Sequence, residues 1–262
     1  SVASMIRPPK QNAVSHVVLP YITKEGAKGP PQPGFFAGFM GRRHDPLFVL
    51  KDPNSADFSI PELTLRTGVS AERLQARRNL FDGLDVRGSE QIQSKGMTGL
   101  QNRAIDLLTS SAAQQAFQIS SELDSLRDSY GRNIYGQSLL LARRLLEAGT
   151  RLVTLSWAPD ANATWDSHSS NFVKLKKTLL PQLDAGVASL VGDLADRGML
   201  ERTVVAIMGD FGRTPKVNGN NAGRDHWNYC YSLQLIGGGF KEGLIYGSSD
   251  KTGAFPARDE LI

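Results

Sequence analysis

The sequence predicts an α/β fold, a three-layer α/β/α arrangement around a mostly parallel sheet. Three observations predict it. Segments with helical period alternate with short apolar runs rich in β-branched residues from about residue 70 onward. Both long helical segments stop at a glycine, Gly149 and Gly198, as helices closed by a left-handed residue do. Glycine is also frequent, 26 of 262 residues, which fits many turns.

Residues 1–69 read as loop-rich, with turn text such as Lys28-Gly29-Pro30-Pro31-Gln32-Pro33-Gly34 and one short strand at Val17-Val18-Leu19. Residues 70–149 read as helical. Leu74, Leu80 and Phe81 mark a first face, Ala104, Leu107 and Leu108 a second, and Leu141, Ala142, Leu145 and Leu146 a third, with Arg143, Arg144 and Glu147 opposite. Arg151 to Trp157 is the strand that follows. A long helix is expected over 171–196, where Leu180, Leu183, Val187, Leu190, Val191 and Leu194 line one side and Pro181 kinks or restarts it. Thr203 to Met208 is nearly all apolar, as a strand covered on both faces requires. Ser232 to Ile236 is the third strand and closes on Gly237-Gly238-Gly239. That run lacks the lysine and following helix of a phosphate loop and reads as a turn. The whole chain, 1–262, reads as one domain whose sheet and candidate metal-site motifs lie in 150–262.

Composition narrows the function. Apolar residues are 40% and charged residues 21%, ordinary globular usage with room for a sizeable core. No apolar run approaches the roughly 18 residues of a membrane-spanning helix. The single cysteine, Cys230, excludes an intramolecular disulfide and a Cys-rich metal site, and it reads as an inert thiol. Residues 1–50 hold six Lys/Arg against two acids, and the remainder balances at 24 of each. The positive charge is therefore local. No basic stripe interleaved with aromatics is present, which points away from nucleic acid. The start, Ser1-Val2-Ala3-Ser4, has neither an initiator Met nor a signal pattern, as in a mature or truncated chain.

Three loops carry candidate chemistry. Trp165-Asp166-Ser167-His168 places an acid and an imidazole two positions apart, on the same side of an extended segment, where both can face one ion. Gly209-Asp210-Phe211-Gly212-Arg213-Thr214-Pro215 puts a carboxylate at a strand's C-terminal end, where ligands of parallel α/β sheets bind. Gly223-Arg224-Asp225-His226-Trp227 adds a second imidazole. Each motif alone has an ordinary alternative: a solvated Asp-x-His pair, a turn acid at Asp210, an Asp225–Arg224 ion pair beside a packed His226. Together they point to a metal site, and mixed nitrogen and carboxylate donors suit Zn, Mn or Fe better than Ca or Mg. Arg213 and Arg224 lie in the same loops, and guanidinium groups bind tetrahedral oxyanions bidentately, so the expected partner is an anionic ester. Trp157, Trp165 and Trp227 adjoin these segments and read as packing residues. Thr214 reads as a structural hydroxyl.

On these motifs, together with Leu141-Ala142-Arg143-Arg144-Leu145, Glu147-Ala148-Gly149 and Gly247-Ser248-Ser249-Asp250-Lys251, the chain resembles the bacterial family known as domain of unknown function 1501. The resemblance implies a place in a sulfatase-like branch of the alkaline phosphatase superfamily. The resemblance implies an alkaline-phosphatase-like α/β/α fold with one or two divalent metals around a phosphate or sulfate ester. By position, Asp166, His168 and His226 look like the ligands of one metal, and Asp210 like a contributor to a second. Phe211 departs from the pattern, because many metallophosphatases of the superfamily read Asp-His there and a phenyl ring cannot ligate. The nucleophile of the superfamily comes from an N-terminal segment with no match here, so the chain is expected to begin after it, and the family's usual continuation beyond residue 262 is expected to be absent too. Family members commonly carry an export signal, which implies an exported, periplasmic protein. Two functions follow: a metal-dependent hydrolase of phosphate or sulfate esters, or a non-catalytic metal-binding or envelope-associated module on the same fold.

Overall fold

The computed structural model describes residues 2–7, 13–63, 65, 68–85, 104–105, 108–160 and 163–259. It is a mixed α/β structure with one parallel sheet of three strands and three two-stranded sheets among the described residues. The chain divides into two compact units, one of residues 1–128 and 132–161, the other of residues 129–131 and 162–262. No helix among the described residues is long and apolar enough to cross a membrane.

The first unit is built around β1 (His16–Leu19), flanked by β2 (Leu47–Phe48) and β3 (Leu152–Leu155), both parallel to it. The run read as a lone strand among loops is thus the central strand. Val17, Val18 and Leu19 are at most 1% exposed, because both faces of a central parallel strand are covered. The segment expected to be helical contains α1 (Ala71–Asp85), α2 (Ser111–Phe117), α3 (Asp124–Ser129) and α4 (Ile134–Glu147). Leu107 lies outside the described residues, as do residues 86–103 and 106 of the same stretch. Helix α4 begins where Asn133 accepts hydrogen bonds from the amides of Tyr135 and Gly136 at 3.1 and 3.0 Å. It ends as expected at Gly149, φ +101°, where Thr150 N donates to Leu145 O and Gly149 N to Leu146 O.

One residue of α4 departs from the expected polar face. Arg143 is only 1% exposed, since Glu122 and Glu147 reach its guanidinium at 2.8 Å each. Arg144 pairs with the same Glu122 carboxylate. Burial works against ionisation of Glu122, but the hydrogen bonds from Arg143 and Arg144 outweigh it and hold its carboxyl below the usual range. Helical periodicity places a residue on a face; it does not reveal that a distant acid covers that face.

His16 makes the first unit acid-sensitive. It is 7% exposed, its Nε2 lies 3.0 Å from Thr154 Oγ1, and its Nδ1 has no hydrogen-bond partner among the described residues. Burial lowers its pKa from 6.5 to about 4. The folded state therefore favours the neutral ring: the stability is fully present above pH 6.5 and is lost as pH falls toward about 4. Urea unfolding at pH 7 and pH 5 is expected to show about 2 kcal/mol of loss from this ring, absent in His16→Gln.

The second unit carries a long helix and the candidate loops. The helix has α5 (Asn171–Lys174), a π-helical turn over Leu175–Leu179, and α6 (Leu180–Asp196). Pro181 sits in the first turn of α6, where its missing N–H costs little, and the π turn absorbs the expected break. Gly198, φ +60°, closes it. Strands β4 (Val204–Ile207) and β7 (Gln234–Gly237) occupy the two expected positions, but they pair with each other and antiparallel. The reason is the connection. Parallel neighbours need a crossover, usually helical, and residues 208–233 contain no helix. Nor is the first strand covered on both faces, since Val204 is 51% exposed. Gly237, Gly238 and Gly239 all have positive φ and form the expected turn.

Candidate metal centre

Asp166 and His168 lie in the loop before α5, and β5 (Gly212–Arg213) pairs antiparallel with β6 (His226–Trp227). In that ladder Arg213 stands directly opposite His226, so their side chains share a face. Both reach Asp166 Oδ1, Arg213 at 2.7 Å and His226 Nε2 at 2.9 Å. His168 Nε2 lies 3.2 Å from the same oxygen and 3.1 Å from His226 Nε2. Three potential ligand atoms from residues up to 60 positions apart thus form a triangle about 3 Å on a side.

The triangle meets the separation test for one ion. Donors bound about 2.0–2.1 Å from one cation, at angles between octahedral and tetrahedral, are about 2.9–3.4 Å apart. The three separations here are 2.9, 3.1 and 3.2 Å. Asp166 is mostly buried, whereas the side chains of His168 and His226 are 43% and 50% exposed, so one side of the triangle faces solvent. Burial works against ionisation of Asp166, but hydrogen bonds with His226 and Arg213 outweigh it and keep the carboxyl below the usual range. The acid is an anion ready to ligate.

The loops are fastened around this cluster. Arg224 N donates to Ser167 O at 3.1 Å and Ser170 N to Asn221 O at 3.0 Å. Asn218 Nδ2 donates to His168 O at 3.1 Å. Gly223 is buried, and a Cβ there would lie 1.8 Å from the carbonyl oxygen of His168, so only glycine permits this approach. Thr164, Ser170, Asn221 and Ala222 all hold φ between +50° and +59°. Left-handed backbone at Thr164, a β-branched residue, is an outlier of the kind that concentrates at functional sites.

The other residues that the sequence singled out take the following places. Asp210 is exposed and is not a member of the cluster. Phe211 packs its ring on His226, with centroids 4.3 Å apart. Arg213 also donates to the carbonyls of Trp165 and Arg224, and Arg224 bonds the carbonyls of Thr214 and Arg213 at 2.5 and 3.1 Å. Both guanidinium groups are bonded to protein atoms. Thr214 Oγ1 donates to Lys216 O and accepts from Asp225 N, the bonding of a structural hydroxyl. Trp227 packs against Tyr229 and Phe255, and Trp157 stacks on Tyr135. Asp225 turns to His168 Nδ1 at 2.8 Å. The sequence reading missed Asp225 and Asn218 as parts of the site. The signal was the Asp225-His226 pair itself, since an acid beside one imidazole can serve the other.

Compared with protein families, residues 1–261 match the one described as protein of unknown function (DUF1501). The chain belongs to the DUF1501 family. Comparisons with curated proteins and with solved structures find no match. In this DUF1501 member the residues that meet are therefore defined by their own geometry: Asp166, His168 and His226 as potential ligands, with Arg213, Asn218 and Asp225 behind them.

Proposed function

We propose that the protein is a metal-dependent hydrolase of phosphate or sulfate esters, that its fold is of the alkaline-phosphatase type in the sulfatase-like branch, and that it acts after export. Asp166, His168 and His226 would hold one Zn, Mn or Fe ion. The observation that carries the reading is the 2.9–3.2 Å triangle of one carboxylate oxygen and two imidazole nitrogens, open on one side. Two nitrogens and one oxygen suit these metals better than Ca or Mg, and an open side is the mark of a catalytic rather than a structural site. Once bound, such an ion polarises an ester oxygen and stabilises charge on the leaving oxygen.

Charge supports an anionic ligand. With neutral imidazoles, Asp166, Asp225 and Arg213 sum to one negative charge, so a dication makes the cluster net positive. In this reading Arg213 holds Asp166 in place, and the ion supplies the attraction for the ester.

A second reading, a non-catalytic metal-binding or envelope-associated module, is favoured by Asp210 standing outside the cluster and by Phe211 covering His226. Incubation of metal-loaded protein with a panel of aryl phosphates and aryl sulfates separates the two. Turnover lost in His226→Ala is the expected result. Full metal loading with no turnover on any ester would establish the module instead.

A further inference from the structure

We propose that Asp225 is a positioning residue that fixes His168 in the Nδ1–H tautomer, so that the Nε2 lone pair faces Asp166 and His226. The use of this device rests on the metal reading above; its existence does not. An ionised carboxylate can only accept hydrogen bonds. Asp225 Oδ1 lies 2.8 Å from His168 Nδ1 in a hydrogen bond, whereas Asp166 Oδ1 stands farther from Nε2, at 3.2 Å, and already accepts from Arg213 and His226, so the proton of the neutral ring belongs on Nδ1 and the other nitrogen is left bare. That other nitrogen is the one placed 3.1 Å from His226 Nε2 and 3.2 Å from Asp166 Oδ1. In the opposite tautomer an N–H would occupy the place of a ligand lone pair.

Asp225 is itself aimed. Asn218 Nδ2 donates to Asp225 Oδ1 at 3.0 Å and to the His168 carbonyl at 3.1 Å, tying the acid and the histidine backbone to one amide. The backbone of Asp225 is held separately, its N–H by Thr214 Oγ1 and its carbonyl by Thr214 N. A side-chain change at 225 therefore leaves the chain path anchored, and the Asp225 side chain is 53% exposed, so its loss opens no cavity. The arrangement is a carboxylate–histidine pair of the kind that orients imidazole ligands, in which loss of the outer partner typically lowers metal affinity 10–100-fold.

The test reads the tautomer directly. Long-range 1H–15N correlation on 15N-labelled, metal-free protein, at mildly alkaline pH, distinguishes a protonated ring nitrogen from a bare one, and His168→Gln assigns the signal. The wild type is expected to show Nδ1–H with bare Nε2. Asp225→Ala is expected to move the proton to Nε2 and to weaken zinc binding by roughly 10–100-fold, while Asp225→Asn, which keeps an acceptor oxygen, retains the tautomer. A wild-type His168 protonated on Nε2, or an Asp225→Ala protein that keeps Nδ1–H, overturns the proposal. If the tautomer responds as expected but the wild type binds no zinc, the positioning role stands and the metal reading fails. If zinc binds equally in all variants with the tautomer unchanged, the reverse holds.

Discussion

Glu122→Leu is expected to cost about 3–5 kcal/mol of stability, the scale for removing one partner of a buried ion pair. Glu122 is 13% exposed and pairs with two guanidinium groups at once, those of Arg143 and Arg144. Arg143 is 1% exposed, and Glu147, a second acid on it, is 47% exposed. Leucine would take from this interior cation the acid that it shares with Arg144. Such a loss is a large share of a typical domain's 5–15 kcal/mol. The double variant Glu122→Leu, Arg143→Met is expected to be more stable than Glu122→Leu, because the buried cation that lost the Glu122 carboxylate is gone. Denaturant midpoints read both effects, and a loss below about 1 kcal/mol for Glu122→Leu would show that the pair is not buried as described.

Gly223→Ala is expected to lower zinc affinity by about two orders of magnitude or more while leaving the helical content unchanged. The added methyl group would meet His168 O at 1.8 Å, His168 C at 2.2 Å and Ser169 N at 2.7 Å, all backbone atoms with no rotamer to yield. The 167–169 segment must move by an ångström or more. Ligand distances tolerate only about 0.2 Å, so His168 Nε2 would leave its place 3.2 Å from Asp166 Oδ1. Isothermal titration with zinc and far-ultraviolet circular dichroism measure the two halves of the prediction. Unchanged affinity would mean that the His168 loop has room that the structure denies it.

Much of the local structure was legible because its causes are local. Gly149 and Gly198 close helices through hydrogen bonds within six residues of chain, and short runs with few charges mark the three strand positions that follow them. Pairing was not legible. The apolar run at 204–207 is compatible with a buried parallel strand, and only the absence of a helix in 208–233 makes its partner antiparallel. In the site, the Asp-x-His spacing of Asp166 and His168 and the second imidazole of His226 marked residues that do meet. The roles behind them were hidden. Whether Arg213 faces a substrate or holds Asp166, and whether Asp225 pairs with Arg224 or with His168, depends on contacts spanning 47 and 57 positions. Such contacts leave no periodic trace.

Metal content decides whether Asp166, His168 and His226 hold one ion. Protein equilibrated with excess zinc, dialysed against metal-free buffer and analysed by plasma mass spectrometry is expected to retain one zinc per chain, and His226→Ala and Asp166→Ala to retain none. A wild-type chain that emerges without zinc, or a His226→Ala chain that keeps it, would rule out these three side chains as the ligands of one ion.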